Sequence, residues 1–176
     1  GRLWLLYAIN DIDMGTFYLY DRESNKLKSL FSNSTHIPRQ AMSESIPITF
    51  AARDGYEVSG YITYPISVPE TQNVPLVTLV HGGPHSRDYW TYSSQVQMLA
   101  AQGYAVLRVN FRGSSGYGTE HSAAGYKRWG DLIQHDIIDA TKYVISQGGI
   151  TADKVCIMGG SFGGYSAVMS PIIEPD

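Results

Sequence analysis

The run Met158-Gly159-Gly160-Ser161-Phe162-Gly163-Gly164 constrains this chain more than any other stretch, because of what flanks it. A short apolar run, Lys154-Val155-Cys156-Ile157-Met158, precedes it, and a helix-compatible segment, Tyr165-Ser166-Ala167-Val168-Met169, follows it. A G-x-S-x-G pentapeptide between a strand and a helix holds its serine on a sharp turn. Such a turn strains the serine's backbone, and a β-carbon on either near neighbour would collide with the adjoining strand and helix. Gly159 and Gly163 remove those collisions. Raised at a helix N-terminus, the Ser161 hydroxyl meets a carbonyl carbon while the backbone N–H of Phe162 points at the oxygen that becomes negative. The pattern predicts a serine hydrolase with Ser161 as nucleophile.

A second motif strengthens that reading. Leu76-Val77-Thr78-Leu79-Val80 is a continuous apolar run, as in a parallel strand buried on both faces, and His81-Gly82-Gly83-Pro84 follows at once. In α/β-hydrolases the loop after the third strand supplies the second oxyanion-hole donor as a backbone N–H, from an HGG-type motif. Gly83 is the candidate donor, because glycine admits the substrate oxygen closely and Pro84 has no N–H to give.

The rest of the chain alternates in the same sense. Ile46 to Phe50 and Tyr56 to Tyr64 flank the turn Arg53-Asp54-Gly55 as an antiparallel pair. Val96, Leu99, Ala100 and Gly103 fall at helical spacing, as do Ile133, Ile137, Ala140 and Val144, and Ala105 to Val109 reads as a buried strand between them. Strand, helix, strand, helix, strand gives a parallel sheet by right-handed crossovers.

His81-Gly82-Gly83-Pro84-His85, Arg108-Val109-Asn110-Phe111-Arg112-Gly113-Ser114-Ser115-Gly116-Tyr117-Gly118, Trp129-Gly130-Asp131 and Gly159 to Tyr165 together resemble the prolyl oligopeptidase family of serine peptidases, above all its acylaminoacyl-peptidase branch. The resemblance covers roughly residues 45 to 176. Family members often carry Tyr after the serine where this chain has Phe162, a small departure because only the backbone N–H is needed there. The resemblance implies a peptidase that releases an N-terminal acylated or free amino acid from a small peptide substrate, through an acyl-enzyme on Ser161. A carboxylesterase with the same machinery is the alternative, since ester and amide cleavage share the tetrahedral oxyanion.

One component of the site is missing. In α/β-hydrolases the triad runs Ser, then Asp or Glu, then His along the chain. After Ser161 only Glu174 and Asp176 are acidic, and all five histidines, His36, His81, His85, His121 and His135, precede it. A serine hydroxyl without a general base is a poor nucleophile at neutral pH. His81 and His85 lie on the oxyanion loop, where a structural or substrate-contacting role is the better reading. The expectation is therefore a partial α/β-hydrolase sheet, with the acid and the base beyond residue 176 in the same polypeptide or in an oligomeric partner. A catalytically inactive fragment or binding module is the reading from another class.

Residues 1–37 read as a β-meander: Leu3 to Ile9, the turn Asn10 to Gly15, Thr16 to Tyr20, and Lys26 to Phe31. The resemblance implies the last blade of a β-propeller that screens the active site. Residues 38–45 are polar and aperiodic and read as a linker, leaving 46–176 as the N-terminal part of the catalytic domain.

Composition narrows the remaining classes. A net charge of -3 with no basic stripe argues against nucleic acid or an anionic membrane as partner. No apolar run approaches the length of a membrane span. Cysteine and histidine spacings imply no metal, and the glycine loop Arg112 to Gly118 lacks the Gly-Lys-Ser/Thr ending of a phosphate cradle, so no cofactor is expected. Arg108 and Arg112 are expected to form structural ion pairs with Asp131 or Asp136. The single cysteine, Cys156, is expected in a buried strand, which suits the reducing cytoplasm. Asn33-Ser34-Thr35 matches a glycosylation acceptor, relevant only to a secreted protein.

Overall fold

Each apolar run forms a strand, and the strands sort into two sheets. The computed structural model describes residues 1–33, 37–68 and 72–175, so His36, Asp176 and two residues of the glycosylation triplet lie outside the described residues. The first sheet is an antiparallel meander of β1 (Leu3–Ala8), β2 (Thr16–Asp21) and β3 (Lys26–Ser32), in that order. Aromatic pairs in register join the strands: Trp4 with Tyr20 at 6.1 Å, Tyr7 with Phe17 at 4.6 Å and Phe17 with Phe31 at 4.7 Å between ring centroids. Such cross-strand pairs are the unit of sheet stabilisation.

The second sheet comprises β4 (Ser45–Ala51), β5 (Glu57–Thr63), β6 (Val74–Val80), β7 (Ala105–Asn110) and β8 (Ile150–Gly159), ordered β4-β5-β7-β6-β8. β4 and β5 pair antiparallel, as do β5 and β7, whereas β7, β6 and β8 run parallel. The crossovers carry α1 (Ser94–Ala101) and then α2 (Thr119–Ala124) and α3 (Leu132–Ser146), and α4 (Phe162–Ile173) leaves the end of β8. β7 is buried along its whole length, and Ile133, Ile137, Ala140 and Val144 of α3 pack into the same core, as their spacing predicts. This is an α/β fold: a small antiparallel sheet before a mixed one.

Three expectations need correction. Gly103 lies beyond α1, where its φ of +90° closes the helix: its N–H donates to Ala100 and that of Tyr104 to Leu99, a Schellman ending. Cys156 is exposed, because β8 pairs with β6 on one side and is an edge strand among the described residues. β8 also begins earlier than the apolar run suggests. Its register against β6 shifts between Val74 and Leu76, so regular pairing starts at Val155 while the strand itself starts at Ile150.

The meander docks on the second sheet through buried polar groups. Asp11 accepts the Ser45 N–H at 2.7 Å, and the Gln97 amide of α1 donates to the Asp11 and Ser43 carbonyls. Asp13 pairs with Arg39 of the 3-10 turn Arg39–Ala41. Among the described residues no helix is long and apolar enough to cross a membrane.

Candidate active site

β6, β7 and β8 all end at one edge of the sheet, the place where open α/β sheets bind ligands. Ser161 stands there between β8 and α4, with φ 56° and ψ −120°, a left-handed conformation that a non-glycine residue adopts only when its surroundings enforce it. The neighbouring glycines supply the enforcement. A β-carbon on Gly163 would sit 2.1 Å from the Val80 carbonyl oxygen, and one on Gly159 would sit 2.5 Å from the same oxygen and 2.7 Å from the Gly163 backbone. The turn is therefore pressed against the end of β6, and only glycine permits that approach.

The loop after β6 passes directly beside the serine. A β-carbon placed on Gly82 would lie 3.6 Å from Ser161 Cβ and 4.0 Å from its Oγ. Gly83 follows with φ +127°, its space bounded by the backbone nitrogens of His85 and Ser86. Phe162 adjoins Ser161 in the chain, and Gly83 follows directly on Gly82, which faces Ser161 across the turn. Phe162 caps this arrangement with a buried ring that packs against Phe111 at 5.7 Å, Trp129 at 6.0 Å and Tyr165 at 5.6 Å.

Histidine chemistry near the serine is structural. His81 stacks on Phe111 at 4.3 Å and bonds through Nδ1 with the Gly82 carbonyl and through Nε2 with Ser114 Oγ. Its burial pushes the imidazole below its ordinary pKa. His85 bonds with the Gly113 carbonyl at 3.1 Å, and His121 with the Phe111 carbonyl at 3.0 Å and Tyr56 Oη at 3.1 Å. None of these three is bonded to Ser161.

Charge is concentrated just behind the site. Arg112 spans Asp136 and Asp54: its Nη2 lies 2.6 Å from Asp136 and its Nη1 2.7 Å from Asp54. The bonds from Arg112 hold the Asp54 carboxyl down at about 2. Burial acts to lower the Arg112 pKa, but its bonds to the two carboxylates outweigh that and raise it. The expected pairing of Arg112 with Asp136 is present. Arg108 pairs with neither expected acid. It faces Asp88 at 3.9 Å, while Asp131 caps α3 and pairs with Arg128. The glycine loop is folded onto the site rather than open: Arg112 N donates to Asp136, Gly113 N to the His121 carbonyl, and Ser115 N to the Ser86 carbonyl.

Sequence reasoning missed the aromatic floor of His81, Phe111 and Phe162, and missed that Gly82 faces Ser161 across the loop. The sequence signal for the floor was available in Phe111, an aromatic at the end of a buried strand. A cavity of about 420 Å³ between α3, β8 and α4, lined by Ile137, Thr141, Val155, Ile157 and Ser170, lies away from Ser161.

The strained serine, the glycine cradle and the HGGP loop lie together at one edge of an α/β-hydrolase sheet. The chain belongs to the prolyl oligopeptidase family, whose sequence pattern it matches over residues 90–174. It is 40% identical over 91% of its length to dipeptidyl aminopeptidase BIII of Pseudoxanthomonas mexicana, of which it covers 24%, and 31% identical over 98% to dipeptidyl peptidase family member 6 of Caenorhabditis elegans, of which it covers 26%. The pig acylamino-acid-releasing enzyme is 34% identical over 63% of the chain, and the chain covers 15% of it. The crystal structure of a puromycin hydrolase superposes with a TM-score of 0.85 at 25% identity, over 97% of this chain and 26% of that one. The chain thus spans about a quarter of the first of these relatives.

Proposed function

We propose that the chain supplies the nucleophile and oxyanion hole of a serine peptidase acting on short peptides. Ser161 Oγ attacks the scissile carbonyl carbon, the Gly83 and Phe162 N–H groups stabilise the resulting oxyanion, and collapse of the tetrahedral intermediate leaves an acyl-enzyme that water hydrolyses. The proton of Ser161 passes to a histidine supported by an acid, both residing beyond residue 176 in the longer protein. On this reading the meander belongs to a propeller-like domain that screens the site. The observation that carries the proposal is the left-handed backbone of Ser161, pinned by two glycines against the Val80 carbonyl.

The substrate follows from the relatives. Two relatives named for dipeptidyl release align over 91% and 98% of this chain, against 57% to 81% for the acylamino-acid-releasing enzymes, although a third dipeptidyl peptidase aligns over 62%. Release of N-terminal dipeptides from small peptides is accordingly the favoured form, ahead of the acylaminoacyl preference that the motifs alone suggest. The test assays the full-length protein on a dipeptidyl p-nitroanilide, an N-acyl-aminoacyl p-nitroanilide and a p-nitrophenyl ester side by side. The dipeptidyl substrate is expected to give the highest kcat/KM, and Ser161→Ala is expected to lower kcat by on the order of 10⁶-fold. Turnover of the ester alone would make the protein an esterase, and no turnover by the folded protein would make it an inactive binding module.

A further inference from the structure

We infer that Asn110 is a positioning residue for the oxyanion loop, an inference that rests on the serine-hydrolase reading above. Asn110 ends β7 and is fully buried. A polar side chain so placed must spend its hydrogen bonds within the protein, because an unpaired buried amide is costly. It spends them on the segment that follows β6. Its Oδ1 accepts the Asp88 N–H at 2.7 Å, and its Nδ2 donates to the Asp88 carbonyl at 3.0 Å and to Tyr117 Oη at 2.8 Å.

The first two bonds mimic a rung of β-sheet. They fix both the position and the orientation of residue 88, five residues after Gly83 in a segment that has left the strand ladder. Other ties flank this one: Arg87 Nε donates to the Asp88 carbonyl at 3.1 Å, and Trp90 Nε1 donates to the Ser45 carbonyl of β4 at 2.8 Å, but Asn110 holds both backbone polar groups of residue 88 from a buried strand. Arg108 reaches the Tyr89 carbonyl through one donor at 3.3 Å, and the bonds of Ser86 and His85 go to residues 115 and 113 of the neighbouring loop. Asn110 is rooted in a buried strand, and through Tyr117 it also ties down that neighbouring loop. His81, stacked on Phe111, fixes the near end of the segment, and Asn110 fixes the far end. Gly83 sits between them. Oxyanion stabilisation depends on donors held in place before the charge develops, so a loosened far end weakens the transition state more than substrate binding.

The experiment compares matched p-nitrophenyl ester and thionoester substrates, carbonyl oxygen against sulfur, on the full-length protein and on Asn110→Ala, Tyr117→Phe and Gln97→Ala. N–H donors stabilise a developing oxyanion better than a thiolate, so the oxygen-to-sulfur rate ratio reads the oxyanion hole itself. Asn110→Ala is expected to lower kcat for the oxygen ester roughly 10- to 100-fold, with KM within about twofold and the ratio falling in parallel. Tyr117 Oη also accepts from Arg87 Nη2 at 3.2 Å, so Tyr117→Phe is made in an Arg87→Met background, where the bond it removes is the one from Asn110; it is expected to lower the ratio a few-fold there, which decides the matter where Asn110→Ala does not fold. Gln97→Ala breaks buried hydrogen bonds that touch no residue of the loop and should leave the ratio at its wild-type value. A ratio unchanged in both loop variants overturns the role of Asn110. A wild-type protein with no preference for oxygen overturns the oxyanion-hole reading itself, a result distinct from the first.

Discussion

The two sides of β6 are held by different physics. On one side β7 is buried throughout, backed by α3 and by an Arg112 guanidinium shared between two carboxylates. On the other side β8 is exposed along most of its middle, and beyond its parallel pairing with β6 it is held at the active edge by the glycine turn pressed on the Val80 carbonyl. The first side adds volume and charge to its strand pairing, the second adds a close approach that the absence of side chains permits. A catalytic serine is better served by the second arrangement, since its strained backbone must be enforced by close approach rather than by filling space.

The contrast breaks most severely at Asp136. Asp136→Ala leaves a buried guanidinium with only the partly exposed Asp54 as partner, and breaking a buried pair costs about 3–5 kcal/mol. Denaturant unfolding should show a loss at the lower end of that range, about 3 kcal/mol, because Asp54 remains. Gly163→Ala strikes the other side. The new methyl has no space against Val80, and overpacking of this kind costs about 1–3 kcal/mol. Its signature should be disproportionate: thermal unfolding shifts modestly while the rate of Ser161 acylation falls steeply, because the strain is released at the serine.

The smallest effect concerns pH. Burial lowers the pKa of His81 and His121, both on the β7 side, so the unfolded chain binds protons more readily than the folded one below the ordinary imidazole value of about 6.5. Stability from these groups is present above that value and is lost as pH falls through the folded values. His121 Nε2 meets the Phe111 carbonyl and must carry a proton, leaving Nδ1 to accept from Tyr56 Oη in the neutral ring. The melting temperature should decline from pH 7 to pH 5, and His121→Gln should flatten that decline. An unchanged slope would remove His121 from the account.

What the sequence made legible follows the same division. β6 and β7 are continuous apolar runs because both faces are covered, so they could be read directly, and the α3 stripe was equally plain. The glycine–serine turn was legible because its chemistry allows few residue types. Cys156 was misplaced because an apolar run predicts burial, whereas burial also depends on a neighbouring strand that only topology supplies. α2, six residues long, is too short to show a helical period. Asn110 carried no signal: an asparagine at a strand end reads as the start of a loop, and its pairing with the backbone of Asp88 exists only in three dimensions. Arg108 was given the wrong partner for the same reason.

The measurement that tests the central claim most directly is the site of covalent capture. The full-length protein is treated with a fluorophosphonate at neutral pH, digested, and its peptides mapped by mass spectrometry. One adduct is expected, on Ser161, and it should vanish in Ser161→Ala while the variant stays folded. An adduct on another serine, or none on folded protein, would contradict the assignment of Ser161 as nucleophile.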